Sequence, residues 1–447
     1  MKEKSSFLSS VIKISIPVAL QCMLQSSFSI VDQIMIGRLG SVSVAAVGLA
    51  GKFSSIFSVV VSAVGAVAGI LIAQYMGAKD EKEADRSFSL STVIAAAIAV
   101  AFTAVCIFIP DRIMGIYTDD NNTIMIAADY LRIISFTFIP LALSTMISTM
   151  LRCMEKASLP LYVSIIAAVF NTGLNYILIF GKFGFSAMGV NGAAFATVIA
   201  QAVNILLLLT VMICVYAKKK KKFLFSMRLT KMTYRQYLFI LLPIFINEFM
   251  WSLGENVYAS IYGHLGTQDC AAMTLTYPVQ GLMIGALSGI AQAAGILIGK
   301  ELGKKDHESA YSKSKKLILY GLAGSILLSV VLFFIKEPYT DIYNVEDSVK
   351  TTAQQILIAF AVIAPVKVLN MILGGGILRS GGKTRIIMCI DLIGTWIFGV
   401  PLGLLSAYVF GLSIPFVYFI LSLEECIRLL ISFVIFRRKT WIQTISS

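Results

Sequence analysis

Long apolar runs separated by short polar connections make up most of this 447-residue chain. Twelve runs are long enough to cross a hydrocarbon layer as helices, which takes about 20 apolar residues each. They lie at 12–36, 43–74, 88–109, 124–150, 158–180 and 190–216, then at 237–262, 269–298, 313–335, 351–378, 386–408 and 411–436. The pattern therefore predicts an all-α polytopic membrane protein.

The second six runs repeat the first six. Pro17 returns as Pro243, and Gly37-Arg38-Leu39-Gly40 returns as Gly263-His264-Leu265-Gly266. Ala68 to Ile72 (AGILI) reads again at Ala294 to Ile298, and Gly77, Lys79 and Asp80 recur as Gly303, Lys305 and Asp306. The shift is the same throughout, so no gap interrupts this window. An even number of spans per copy makes the copies parallel. The expected architecture is two six-helix bundles, related by a pseudo-two-fold axis along the membrane normal. An N-terminal lobe at 1–216, a basic linker at 217–236 and a C-terminal lobe at 237–447 follow. A repeated membrane unit with a cavity at its seam is a common plan for moving solutes across a bilayer.

Composition agrees with the pattern: 57% of residues are hydrophobic, 14% are charged, and mean hydropathy is +0.84. No soluble core hides that much apolar surface in one chain. The net charge of +13 comes mainly from connections on one side of the spans. These hold Lys79, Lys82 and Arg86, Lys218 to Lys222, Lys304 and Lys305, Lys313, Lys315 and Lys316, and Arg437 to Lys439. The opposite connections hold only Arg38, Arg112, Lys182, Lys336 and Lys350. Positive connections stay inside, so both termini are expected in the cytoplasm, with the first span retained and a bacterial plasma membrane as the location. The run Lys218–Lys222 reads as a contact for anionic membrane lipids. Nothing resembles a basic, aromatic-interleaved nucleic-acid face. The seven cysteines are scattered and the two histidines, His264 and His307, stand apart, so neither a metal cluster nor a disulfide framework is expected.

Charges at membrane depth are costly, about 2.5–3.5 kcal/mol each at the bilayer centre, and therefore point to function. Asp32 stands in the apolar stretch Ile30 to Ile36. Burial raises the affinity of such a carboxyl for a proton, and a bound cation opposes that. A group of this kind can exchange a proton for a cation; the plain alternative is a carboxylate that reaches water at the outer end. Asn171 and Asn175 share a helical face in the fifth span, and Thr197 lies in the sixth. Their oxygens suit a hard cation, and equally suit hydrogen bonding between helices. In the second copy Glu248 and Glu255 are two turns apart on one face. Lys367 with Asn370, Asp391, and Glu424, Glu425 and Arg428 add opposite charges, the material of a buried network. The purely structural reading of Lys367 and Asp391 is an ion pair that keeps helices in register. Asp32 corresponds to Tyr258 and Glu255 to Ser29, so the copies share a scaffold without sharing a site. Gly374-Gly375-Gly376 allows a close backbone approach or a helix break, and Pro17, Pro140 and Pro365 favour kinks.

The strings Val31-Asp32-Gln33-Ile34-Met35-Ile36-Gly37, Leu151-Arg152, Phe170-Asn171-Thr172-Gly173-Leu174-Asn175 and Gly189 to Thr197 resemble the multidrug and toxic compound extrusion (MATE) family in order and spacing. The resemblance spans nearly the whole chain. It implies two bundles around a central cavity and antiport of cationic or amphipathic small molecules against inward Na+ or H+; no cofactor is expected, and a monomer suffices for this architecture. It also implies a first-lobe cation site at Asp32, Asn171, Asn175 and Thr197. The chain departs from the family pattern at Asn175, where a carboxylate is common, which leaves Asp32 as the lone titratable group of the set. A glutamate on the seventh span serves some members, which draws attention to Glu248 and Glu255, with Lys367 and Asp391 beside them as second-lobe candidates for coupling or substrate.

Two other function classes are weighed against this. A flippase for a lipid-linked precursor calls for a cationic cavity, and the central candidates reduce to Lys52, Arg132 and Lys367. A membrane-embedded enzyme needs a nucleophile, base and orienting group at one depth, and no such set is legible. No phosphate-binding loop of the ATP-driven kind is present either.

Overall fold

The structure, a computed structural model, describes residues 2–118, 120–218, 234–343 and 345–443, without the side chains at 2–6, 29, 30, 33, 41 and 267. Of the basic run only Lys218 falls among them; Lys219 to Lys222 and most of the expected linker lie outside the described residues. Every regular element among those described is helical, because a backbone in lipid has to satisfy its own polar groups. The first copy forms α1 (Lys2–Gly37), α2 (Ser41–Gly77), α3 (Glu81–Phe108), the short α4 (Pro110–Met114), α5 (Asn121–Ile134), α6 (Phe138–Cys153), α7 (Ser158–Phe180) and α8 (Gly189–Lys218). The second forms α9 (Tyr234–Gly263), α10 (Thr267–Gly303), α11 (His307–Asp341) and α12 (Asp347–Asn370), then α13 (Thr384–Leu392), α14 (Val400–Leu404), α15 (Ile414–Ser422) and α16 (Glu424–Arg437).

Eleven of the resulting helical stretches are long and apolar enough to cross a membrane. The chain is a multi-pass, all-α membrane protein. The twelfth span, read from sequence as a continuous 411–436, is interrupted: α15 ends at Ser422 and α16 starts on two glutamates. The fourth span is jointed too, α5 passing through a 3-10 turn at Ser135–Thr137 into α6. Pro140 explains the joint, since its missing N–H leaves an α-helical bond unmade just there. Pro17, Pro243 and Pro365 sit inside helices that continue through them. At Gly374–Gly376 the helix neither breaks nor ends but widens into a π-helix over Met371–Leu378. Only Gly376 makes the close approach: a Cβ there would lie 2.6 Å from the Ala291 carbonyl oxygen.

The repeated Gly-x-Lys-Asp strings fold into the same turn twice. Lys79 and Lys305 take left-handed φ values of 59° and 60°. Asp80 then accepts from the Glu83 N–H (3.2 Å) and Asp306 from the Ser309 N–H (2.9 Å), capping α3 and α11.

By contacts the chain divides into two compact units. One comprises Met1–Ala19, Ala73–Lys79 and Met232–Ser447. Inside it the end of α2 crosses the end of α10 at the repeated glycines. A Cβ on Gly77 would collide with the Lys300 backbone, and one on Gly303 with the Gln74 backbone. Gln74 and Lys300 are themselves equivalent in the repeat, so the crossing is symmetric residue for residue. Gly289 admits the backbone of α1 at Ser15 in the same manner, and Gln74 donates to the Ser380 carbonyl (2.7 Å). The unit's core runs through Tyr258, Tyr262, Phe360, Val417 and Leu421.

The other unit comprises Leu20–Ile72 and Asp80–Lys231. Phe57 stacks on Phe138 (4.4 Å) in its interior. Arg152 donates to Gln21 (2.7 Å), whose amide donates to Ser164 (2.8 Å), tying α1, α6 and α7. Gly192 lets α8 lie against the backbone of α7 at Leu178, a contact no side chain would permit.

Candidate functional site

Helix α7 carries Asn171 and Asn175 one turn apart, and both side chains are buried. The close α7–α8 approach at Gly192 brings Thr197 against them. The Thr197 hydroxyl donates to the Ala193 carbonyl (2.9 Å), which turns a lone pair toward Asn171 Nδ2 (3.4 Å). Asn175 Nδ2 donates to Asn171 Oδ1 (3.1 Å) and to Asp32 Oδ1 on α1 (2.7 Å). The second bond is charge-assisted and correspondingly short. Its donors spent, Asn175 presents a carbonyl oxygen that is buried and has no donor among the described residues. Leaving such an acceptor unmet costs about 1–3 kcal/mol. One carboxylate, two amides and a hydroxyl thus converge, with one acceptor unfilled. Ile36, Ile179 and Ala193, from the same three helices, form a buried apolar cluster, and Tyr130, packed on it, lies within electrostatic reach of Asp32.

The charges of the second copy form a different assembly. Arg428 on α16 reaches Asp391 on α13 with both Nε (3.0 Å) and Nη2 (2.5 Å) on one oxygen. Its Nη1 lies 3.5 Å from Glu425 and 3.8 Å from Glu424. Asn247 on α9 donates to the other Asp391 oxygen (2.8 Å). Asn370 on α12 donates to the backbone and side chain of Glu425 (2.7 and 2.8 Å). Two glycines make room: a Cβ on Gly394 would strike the Arg428 side chain, and one on Gly399 would strike the Tyr258 hydroxyl and Glu424. Lys367 holds its ammonium over the Tyr418 ring, 5.7 Å from the centroid, within electrostatic reach of Glu255, Glu424 and Glu425.

A family model described as MatE matches residues 17–177 and again 243–405. Its two matches open on Pro17 and Pro243, where the repeat itself opens. The chain belongs to the MatE family. Among curated relatives, the uncharacterized transporter YisQ of Bacillus subtilis is 23% identical over 97% of this chain and 95% of its own length. A probable multidrug resistance protein NorM of Agrobacterium fabrum is 25% identical over 89% and 86%. Among solved structures, a variant of the Vibrio cholerae MATE transporter VcmN superposes with a TM-score of 0.89 at 18% identity, each chain covered completely. A MOP-superfamily transporter from Pyrococcus furiosus superposes at 0.86 and 18%, over 97% of this chain and 96% of that one.

Within this MatE scaffold the four first-copy residues read from sequence, Asp32, Asn171, Asn175 and Thr197, come together in one hydrogen-bonded chain. The second-copy four do not. Glu248 leaves the group and pairs with Arg379 (3.3 Å). Lys367 and Asp391 form no ion pair, since Arg428 and Asn247 occupy Asp391. Glu255 lies near Lys367 and Arg428 without bonding to either. Arg428 belongs to this assembly as its central cation, and Tyr418 and Asn247 join it. An Asn beside Glu248 and a Tyr in a span carry too little signal to single out by sequence, and Tyr130 is likewise invisible there. The central cations weighed for a lipid pyrophosphate also disperse. Lys52 is exposed, and Arg132 pairs with Asp129 (3.2 Å) and Asp111 (3.7 Å) at a half-exposed position.

Proposed function

We propose that this MatE-family chain is a secondary antiporter of the bacterial cytoplasmic membrane, exporting organic cations or amphipathic drugs in exchange for Na+ or H+. The observation that carries the reading is the Asp32–Asn175 pair, a carboxylate beside a buried amide oxygen with no donor among the described residues. A proton on Asp32 removes the charge; a cation beside it uses the carboxylate, the Asn175 oxygen and the Thr197 hydroxyl. Either event changes what α1, α7 and α8 hold in common, and coupling requires that ion and substrate favour different states. Names of relatives such as NorM favour drug-like substrates. The working organisation is a monomer of two lobes, 1–216 and 237–447, joined by a basic linker at 217–236, with both termini cytoplasmic. The chemistry is transport, not catalysis.

The test is efflux of a fluorescent organic cation from proteoliposomes under separately imposed sodium and proton gradients. Wild type should respond to one gradient and Asp32→Asn to neither, with Asn175 still able to donate to the new amide oxygen and preserve the fold. Full gradient-driven efflux in Asp32→Asn would sink the site assignment. Binding of an anionic lipid-linked precursor, with no cation movement at all, would replace the antiporter by a lipid flippase.

A further inference from the structure

Of the two cations in the second-copy assembly, Arg428 is bonded to carboxylates and Lys367 is not. Among the described residues no carboxylate oxygen lies within 4.0 Å of its Nζ, and its only direct contact of note is the Tyr418 ring. It nonetheless sits in a field of Glu255, Glu424 and Glu425. Arg428 cannot neutralise that field, since its guanidinium is engaged by Asp391 and shared with Glu424 and Glu425. Two further observations mark the place as built to hold a cation. Glu424 is 5% exposed; its Oε2 shares the space beside Gly399 with the Tyr258 hydroxyl, and Arg428 stands 3.8 Å from its Oε1. Glu255 bonds to nothing described, is exposed, and lies within electrostatic reach of Tyr262 and Tyr418, whose rings are 6.3 Å apart. Aromatic faces next to carboxylates attract ammonium groups, most strongly when desolvated.

We propose that the Lys367 ammonium is a tethered cation: it occupies, between Glu255, Glu424, Glu425 and the Tyr418 ring, the position a mobile monovalent ammonium would otherwise take. The four-carbon stem from α12 delivers the charge and blocks the space at once. With Lys367 the assembly is provisioned without a second ion, and an external cation enters this lobe only by displacing it. Without Lys367 four carboxylates face one guanidinium, a deficit that an ammonium of the same size fills. This inference concerns the second-copy assembly and does not depend on Asp32 or on antiport.

The experiment is equilibrium binding of n-propylammonium chloride to purified full-length protein in detergent, followed by calorimetry, with potassium chloride and n-propanol as controls for salt and for the apolar stem. Lys367→Ala should bind n-propylammonium saturably and at least about tenfold more tightly than wild type, corresponding to about 1.4 kcal/mol. Glu255→Gln added to it should remove most of the gain, and n-propanol should show none. Lys367→Arg, which keeps a tethered cation, should behave as wild type. Equal binding by wild type and Lys367→Ala, or a gain that survives Glu255→Gln intact, would overturn the proposal. Should Lys367→Ala unfold, the melting temperature of Lys367→Ser decides: millimolar n-propylammonium should raise it and n-propanol should not, and no rise would equally overturn the idea.

Discussion

Arg428→Met isolates what the second-copy assembly rests on. The guanidinium is the sole cation bonded to Asp391 among the described residues, and it also lies within 4.0 Å of Glu424 and Glu425. The side chains are 12% exposed for Arg428, 18% for Asp391, 6% for Glu424 and 12% for Glu425, so water cannot take over. Methionine fills much of the volume beside Gly394 but leaves three carboxylates facing one another. Removing one partner of a buried pair costs about 3–5 kcal/mol. For a cooperative unit of about 200 residues, each kcal/mol moves the melting temperature by about 2–4 °C, so a fall of about 6–20 °C is expected. Tryptophan fluorescence during heating reads it directly, Trp396 bonding to the Met250 carbonyl close by (3.3 Å). Asp391→Asn alone should cost less, since Arg428 keeps two other carboxylates. The double variant Arg428→Met with Asp391→Asn should recover at least about 1 kcal/mol relative to the sum of the two, as a coupled pair does. A single-variant loss below about 1 kcal/mol, or strict additivity, would refute the reasoning.

Two further outcomes follow from local geometry. Gly77→Val places a branched side chain where the Lys300 backbone already sits and should cost about 1–3 kcal/mol by thermal melting, whereas Gly48→Ala, with nothing within 4 Å, should be neutral or stabilising by up to about 1 kcal/mol; equal effects would contradict the symmetric crossing of α2 and α10. At the start of α5, the Thr123 hydroxyl (2.5 Å) and then the Thr123 and Asn122 N–H groups hold the exposed Asp120 carboxyl below its ordinary range. A folded value below the unfolded one makes this cap's contribution complete above about pH 4 and lost as the pH falls through the folded value. Amide protection at Asn122 and Thr123 should therefore drop on acidification from about pH 6 to about pH 3, and unchanged protection would show that the cap is not what holds the turn.

The twelve apolar runs and their duplication were legible because both are local or periodic properties. A helix in lipid satisfies its own backbone, so span length and hydropathy suffice to predict it. The repeated Gly-x-Lys-Asp strings folded into the same left-handed turn twice for the same reason. Asn171 and Asn175 could be grouped in advance, since four residues along a helix return to one face. That rule reached further in α7 than in α9. Glu248 and Glu255 also share a face, yet two turns of rise, about 10 Å, set them opposite different neighbours, Arg379 for one and the Lys367 region for the other.

Which charge answers which was decided by packing alone. Lys367 and Asp391 have opposite signs and lie in consecutive spans, but helix rotation and the space left by Gly394 hand Asp391 to Arg428. The interruption at Leu423 was equally beyond the hydropathy pattern, which saw one apolar run where α16 begins on Glu424 and Glu425. The sequence by itself determined the spans, the repeat and the family. Only the tertiary structure decided the pairings, because a side chain's partner depends on the depth and rotation of a different helix, and neither is written in the local order of residues.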